Sequence, residues 1–235
     1  MAESKDNLGT WKTLDSGRRV WQLTYSFGPA TANTMAVKLD DGSFLVVSPA
    51  TNISQNAMDE LGMEGPVSAL LAPNSFHHLG QAAWRKQFPN AVSYAPPASI
   101  ARLQKQSKLE YKPLAELNAK LGPHVKVIEA AGMKAPDLLV KAKTDDGNVW
   151  FGGDLISNQG PEDGSALVRF LFKVLGGGPG YRFNKPIALL YLKDREAWKA
   201  DVRARMGDGK LHAVVPAHGA VATGETVART QEILK

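Results

Sequence analysis

The 235-residue chain contains no cysteine and only five histidines. The absence of cysteine excludes disulfide bonds, thiolate metal ligands and a cysteine nucleophile. No apolar run approaches the roughly 20 residues that a membrane span requires, so we expect no membrane partner. Residues 1–12 contain charged side chains and no apolar stretch, which predicts that no signal peptide is present and that the protein is cytoplasmic.

The chain also lacks a long linker and a block of like charge. The glycine-rich stretch 176–180 is too short to separate two cores, and 43% hydrophobic residues can supply one large core, which predicts a single domain over residues 1–235. The net charge is +5, but lysine and arginine are interspersed with acidic residues. Because nucleic-acid binding usually shows a basic stripe, we do not expect a nucleic-acid partner.

Short apolar segments, turn signals and helical patterns follow one another along the chain. Two Asp-Asp-Gly turns, at 40–42 and 145–147, each separate two apolar segments and predict hairpins. Elsewhere strand and helix patterns alternate, so the sheets should be mixed. The predicted strands are 20–25, 34–39, 44–47, 67–72, 91–94, 125–128, 137–142, 148–151 and 211–215, and the predicted helices are 54–61, 79–88, one from Ser99, 165–175, 193–206 and 224–235.

The glycine-rich stretch 176–180 could be mistaken for a phosphate-binding loop. Such a loop needs a following Lys-Ser or Lys-Thr at the start of a helix, and neither is present. We therefore interpret this stretch as a connector or lid and expect no nucleotide cofactor.

Four polar side chains follow predicted strands. His77 and His78 follow one strand, Asp154 follows a later strand through two glycines, and His218 follows the last strand. Ligands gather at the carboxyl ends of strands in open sheets, and imidazole with carboxylate suits Zn, Fe or Mn. The pattern indicates a metal site, although each residue alone could equally cap a turn or a helix. The remaining histidines, His124 and His212, are expected at surface and structural positions.

Three phrases resemble the metallo-β-lactamase-fold superfamily. Residues 74–80, 149–154 and 214–219 read NSFHHLG, VWFGGD and VVPAHG, and the resemblance extends from Val20 to the C-terminal helix. It implies an α/β (α+β) fold, a four-layer αβ/βα sandwich of two mixed β-sheets flanked by helices. It also implies one or two metals at the sheet edge that activate water for hydrolysis.

The chain departs from the family at the first metal. The family motif is H-x-H-x-D-H-x-G, and aligning its last histidine with His78 puts His77 at the aspartate. Pro73 and Ser75 then occupy the first two histidine positions. Met133 occupies the position of the histidine in the family's G-H-T-P-G loop. All three histidines that hold the first metal in the family are therefore replaced.

More of the family's ligand positions are matched at the second metal. His78, Asp154 and His218 match, His77 replaces the aspartate with another ligand type, and Ser48 stands where the family has an aspartate after the early hairpin. The resemblance thus implies a hydrolase with one divalent ion, Zn first and Fe or Mn as alternatives. His77, His78, Asp154 and His218 would be its ligands, with His77 and Asp154 also catalytic.

The substrate would be a small ester, lactone, amide or phosphoester attacked by a bound water. A closed shell of four ligands would leave no open position, so either the ion becomes five-coordinate or His77 turns away and acts as a base. The rival readings are a metal-free relic that binds a small molecule or protein partner, and redox chemistry at iron.

Five aromatic residues have two interpretations. They could line the substrate pocket, or they could form core packing or a homodimer contact through the predicted helix 165–175. The residues concerned are Trp84, Phe170, Phe172, Tyr181 and Phe183.

Overall fold

A computed structural model describes residues 8–235 of the chain. Residues 1–7, which carry most of the charges behind the signal-peptide prediction, lie outside the described residues. Within 8–235, no helix has both the length and the apolar character needed to cross a membrane.

The first sheet has seven strands in chain order. Its first four strands pair antiparallel, and from the fourth strand onward the pairing is parallel through connecting helices. This is the mixed sheet that the hairpin and strand-helix patterns predicted. The strands are β1 (Trp11–Thr13), β2 (Val20–Phe27), β3 (Ala30–Lys38), β4 (Phe44–Val47), β5 (Val67–Leu71), β6 (Val92–Ala95) and β7 (Lys112–Pro113).

The second sheet is also mixed. Its strands are β8 (Val125–Ile128), β9 (Leu139–Thr144), β10 (Gly147–Phe151), β13 (Leu211–Val215) and β14 (Ala222–Thr223). They lie in the order β14-β13-β10-β9-β8, and the β10–β13 pair is parallel. A separate antiparallel pair, β11 (Ile156–Gln159) and β12 (Gly180–Phe183), had no counterpart in the sequence prediction.

Helices cover the outer faces of both sheets. The closing helix predicted over 224–235 is in fact two short helices that meet at Arg229. The helices are α1 (Gln55–Glu64), α2 (Gln81–Gln87), α3 (Pro97–Ser107), α4 (Leu114–Asn118), α5 (Ala166–Val174), α6 (Lys185–Tyr191), α7 (Arg195–Met206), α8 (Gly224–Ala228) and α9 (Thr230–Ile233).

The first helix runs past the glycine at which it was predicted to end. Ser54 caps its N-terminus as predicted, accepting a hydrogen bond from the Ala57 amide. Gly62 lies within the helix, where it costs about 1 kcal/mol relative to alanine, and burial of Leu61 beside it offsets that cost. The helix ends at Gly65, where a Cβ atom would lie 2.6 Å from the Gly42 carbonyl oxygen.

Three apolar layers hold the molecule together. Leu45 and Val47 of β4 face the second sheet, whereas Phe44 and Val46 face α1 and α2. In β10, Trp150 turns away from that central layer toward α6 and α7. This alternation, expected for strands buried on both faces, confirms the predicted four-layer sandwich.

Candidate metal centre

Three of the four predicted ligands converge where β5, β10 and β13 end. One ligand atom from each of His77, Asp154 and His218 lies within 4.8 Å of the others. The Nε2 atoms of His77 and His218 lie 3.3 Å and 3.6 Å from the Asp154 Oδ1 atom. Two imidazoles and a carboxylate at this spacing can hold a divalent metal ion.

The other ring nitrogen of each histidine has its own partner. The His218 Nδ1 atom lies 3.0 Å from the Thr31 carbonyl oxygen, which can only accept, so Nδ1 donates and the lone pair of a neutral ring is on Nε2. The His77 Nδ1 atom lies 2.6 Å from the Ser48 hydroxyl. Outer hydrogen bonds of this kind fix ring orientation at metal sites.

The Asp154 carboxylate is held in the same way. Its Oδ2 atom accepts hydrogen bonds from Asn74 Nδ2 at 3.0 Å and from the Tyr191 hydroxyl at 3.2 Å. Its backbone amide donates to Asp137 Oδ2 at 2.8 Å. The Oδ1 atom is thereby left pointing at the two histidines.

Two glycines allow the chain to bring these groups together. Gly153, directly before Asp154, has φ +62°, and a Cβ there would lie 2.5 Å from an Asp137 oxygen. Gly219, directly after His218, has φ +90°, and a Cβ there would lie 2.1 Å from the Asn158 carbonyl oxygen. Both are positions that only glycine fills without strain, which accounts for the Gly-Gly-Asp and His-Gly phrases.

Burial and the two carboxyl groups set the electrostatics of the centre. Burial acts to lower the pKa of His77, but attraction to Asp154 outweighs it and the pKa is raised above 6.5. Burial acts to raise the pKa of Asp154, but His77 and His218 outweigh it and the pKa is lowered. Burial and repulsion from Asp154 raise the pKa of Asp137 to about 7. The cluster therefore favours positive charge beside the Asp154 carboxylate.

His78, the fourth predicted ligand, lies outside the cluster. Its Nδ1 atom is buried without a hydrogen-bond partner among the described residues, and burial lowers its pKa. The two histidines occupy one turn, where consecutive side chains diverge, and the bond from His77 to Ser48 directs only the first of them to the centre.

The positions that replace the family's first metal ligands have structural contacts. The Pro73 carbonyl oxygen accepts a hydrogen bond from the Leu138 amide at 3.0 Å. Ser75 donates to the Ser99 hydroxyl at 2.9 Å. Met133 pairs with Leu192 in an isolated β-bridge and packs against the core under the second sheet.

A pocket of about 260 Å³ opens onto the centre. Of the two interpretations of the aromatic residues, core packing holds for Trp84, Tyr181 and Phe183, each of which is buried between a sheet and its helices. None of the five lines the pocket, and Phe170 is 62% exposed on α5. Besides the cluster and Ser48, the lining includes Tyr25, Phe27, Pro49, Thr51, Phe76, Leu79 and Gly80.

Sequence reasoning also missed the residues that surround the ligands. Ser48 adopts φ +53° at the end of β4, a conformation that is uncommon outside glycine. Its place after the hairpin was the available signal. Asn74 lay within a resembling phrase but has no metal chemistry, and Asp137 and Tyr191 carried no local signal.

The two remaining histidines lie elsewhere. The His124 Nδ1 atom lies 2.9 Å from the Asp40 Oδ1 atom at the surface. The His212 Nε2 atom lies 2.8 Å from the Leu14 carbonyl oxygen, a contact that links the two sheets. Neither is part of the metal centre, in agreement with the expectation from sequence.

Known proteins match the chain by structure. No protein-family profile and no curated protein sequence matches it. The crystal structure of DIM-1 metallo-β-lactamase is 14% identical, with a TM-score of 0.58 over 96% of this chain and 97% of that chain. The mono-zinc form of FIM-1 metallo-β-lactamase from Pseudomonas aeruginosa is 17% identical, with a TM-score of 0.56 over 97% and 96%. VMB-1 at pH 5.5 is 15% identical, with a TM-score of 0.60 over 97% of each chain.

The chain therefore has the metallo-β-lactamase fold. This confirms the fold that the three resembling phrases implied, and identities of 14% to 17% extend the conclusion to the fold alone.

Proposed function

We propose that the protein is a hydrolase that holds one divalent metal ion with His77, Asp154 and His218. The observation that supports it most is the convergence of three ligand atoms within 4.8 Å, each on a side chain whose other polar atom is already hydrogen-bonded. Three protein ligands are typical of catalytic zinc sites, which keep a fourth position for water. With His78 outside the cluster, that position stays open.

The donor set favours zinc. Two imidazoles with one carboxylate are the ligands of many zinc hydrolases, although the same set also suits Fe(II), so Fe and Mn remain the alternatives. A bound divalent ion supplies a Lewis acid and lowers the pKa of a water from 15.7 to about 7. One of the structures with this fold, FIM-1, is described in a mono-zinc form.

The protein's own residues would orient the ligands and shape the substrate site. Burial and the neighbouring Asp154 and Asp137 raise the pKa of Tyr191, which keeps its hydroxyl protonated as a donor to Asp154. Burial raises the pKa of Tyr25 at the pocket wall to about 12, so that wall is neutral too. Asp137 has a pKa suited to a general base, but it lies behind Asp154 and does not line the pocket, so we assign it a supporting role.

The substrate is proposed to be a small ester, lactone, amide or phosphoester. A pocket of about 260 Å³ suits a small molecule, and Phe27, Phe76 and Leu79 give it an apolar rim. In this proposal His77 and Asp154 act as ligands and orient the reacting water.

One observation favours a second candidate, a metal-free binding protein. The direct contact of 3.3 Å between His77 Nε2 and Asp154 Oδ1 already balances the buried carboxylate without an ion. In that case the pocket would bind a small molecule or a segment of a partner protein, and the chemistry of the fold would have been lost.

Metal analysis and two neighbouring variants separate these candidates. Protein purified without chelator should contain about one metal ion per chain, and His77→Ala should lose both the ion and any hydrolysis of p-nitrophenyl ester or phosphoester probes. His78→Ala is the matched control and should retain both. A wild-type chain that contains no metal and takes up none from Zn, Fe(II) or Mn solutions would rule out the hydrolase proposal.

A further inference from the structure

Helix α5 turns its apolar face to solvent. Leu167, Phe170, Leu171 and Val174 are 66%, 62%, 48% and 66% exposed. Their i, i+3, i+4, i+7 spacing is that of a helix face that normally packs on a core. Within residues 8–235 this helix has no buried residue, so nothing in that part of the chain covers the face.

The next helix, α6, also exposes apolar side chains. Leu189 and Leu190 are 64% and 59% exposed. The two helices meet where Gly177 lies against both Phe172 of α5 and Pro186 of α6. We call the exposed apolar residues of the two helices together the α5–α6 surface.

Positive charge accompanies this surface. Arg169 and Lys173 lie on the other side of α5, and Lys185 lies beside the end of that helix at Gly176. None of the three cations forms an ion pair with a carboxylate in the described chain, and Arg169 donates to the carbonyl oxygens of Glu162 and Gly164. Acidic groups also lie nearby: the Asp163 carboxylate accepts the Gly160 amide, Glu162 precedes the helix, and Asp194 and Glu196 line one pocket with Lys185 and Leu189. Lys134, Lys193 and Arg195 line the same pocket, so cations outnumber carboxylates there.

We infer that the α5–α6 surface docks on an anionic phospholipid bilayer. An exposed apolar helix face with lysine and arginine on its polar side is the pattern of helices that lie in a membrane interface, and unpaired cations near the surface add attraction to anionic headgroups. The other occupant is a second copy of this chain, and the oligomeric state in solution tests it. The sequence-based expectation of no membrane partner rested on the absence of a spanning run, and interfacial docking requires none.

Docking would bring the pocket close to the lipid. The Gly164 amide at the start of α5 donates to the Pro29 carbonyl oxygen at 3.1 Å, two residues from Phe27 on the pocket wall. At the end of α6, the Tyr191 ring contacts Phe76 on the opposite wall, with ring centroids 6.4 Å apart. Both helices therefore adjoin the mouth of the pocket.

Vesicle sedimentation tests the inference. Wild-type protein should sediment with vesicles that contain phosphatidylglycerol and much less with pure phosphatidylcholine, and added salt should weaken the binding. The double variant Leu167→Ser/Phe170→Ser should bind at least about 10-fold more weakly, because each substitution removes a large apolar group from the interface. Met63→Ser is the matched control, since Met63 is 82% exposed on α1, away from this surface.

The inference is wrong if wild-type protein ignores phosphatidylglycerol vesicles or if the double variant binds them equally well. It is also wrong if ultracentrifugation finds that the wild-type protein is a dimer and the double variant a monomer, while neither protein binds vesicles. Because sedimentation measures no activity, failure here leaves the hydrolase proposal standing, and the reverse also holds.

Discussion

Two sets of positions near the same sheet edge differ in what they contribute. His77, Asp154 and His218 point ligand atoms at one another, and each is held by an outer hydrogen bond. Ser75 and Met133, at positions where the resembling family has histidines, are instead occupied by contacts to α3 and to the core. One set is arranged for an ion, and the other for packing.

The difference is that three ligand-type side chains converge at one set of positions, whereas packing residues occupy the other set. The two sets lie on different supports. The ligand set rests on buried strand ends and on partners such as Asn74 and Asp137, both almost fully buried. Within residues 8–235 the ligand atoms of His77, Asp154 and His218 form the one group that could hold an ion, so we expect one ion per chain.

The largest expected effect comes from removing a ligand. Asp154→Asn should weaken metal binding by more than about 100-fold, since loss of an outer partner alone costs about 10- to 100-fold. Competition with a chromophoric chelator measures the affinity, and circular dichroism checks the fold. Asp208→Asn at an exposed acid is the control. Wild-type affinity in Asp154→Asn would show that this cluster is not the metal site.

A smaller loss should follow from removing a hydrogen bond to a ligand. Tyr191→Phe deletes the donor to Asp154 Oδ2 and should weaken metal binding by about 10-fold. Tyr181→Phe is the matched control, because that hydroxyl bonds to Thr230 in the core, away from the centre. Equal affinities for the two variants would mean that Tyr191 does not support the ligand.

The metal-free protein should lose stability as the pH rises. The raised pKa of His77 means that its contribution is fully present below about pH 6.5 and is lost as the pH rises through the folded-state value. Within that window the slope approaches about 1.4 kcal/mol per pH unit. The pKa of Asp137 is raised from 3.8 to about 7, so its contribution is lost as the pH rises from about 4 to about 7, mostly before the loss from His77 begins.

Urea unfolding in chelator between about pH 7 and pH 9 measures this dependence. His77→Gln should flatten the curve, whereas His124→Gln, at the exposed pair with Asp40, should leave it unchanged. A wild-type curve that is flat or rises would contradict the charge arrangement at the centre.

The smallest effect tests the packing half of the comparison. Ser75→Ala removes the hydrogen bond to Ser99 and should lower the free energy of unfolding by about 1 kcal/mol while metal content stays the same. Ser99→Ala should cost a similar amount, and the double variant should cost less than the sum. Loss of metal from Ser75→Ala would place this residue in the centre after all.

Most strands and helices were predictable because their signals are local, whereas the four-layer sandwich was implied by the family resemblance. The hairpin turn at 40–42, the alternation in β4 and the Gly-Gly-Asp phrase each depend on neighbouring residues, and the structure places the corresponding elements where these patterns predicted. The pair β11–β12 was missed because its partners are distant in the chain and neither shows clear alternation.

The centre was only partly predictable for the same reason. Strand-end positions brought His77, Asp154 and His218 together, but whether His77 or His78 faces the centre depends on the bond to Ser48, 29 residues away. Asp137 and Tyr191 act through contacts made only in the folded chain. Their residue types alone do not predict that role.

Asn33 on β3 has a consequence for how the centre forms. Its side-chain amide donates to the carbonyl oxygens of Pro216 at 2.8 Å and Gly219 at 2.6 Å, on either side of His218, and Gln22 holds the amide oxygen in place. One strand of the first sheet thus fixes the loop between β13 and β14 of the second sheet, more than 180 residues later. The affinity of the site for an ion should therefore appear late in folding. The time at which a refolding chain binds the ion would then report when its two sheets have come together.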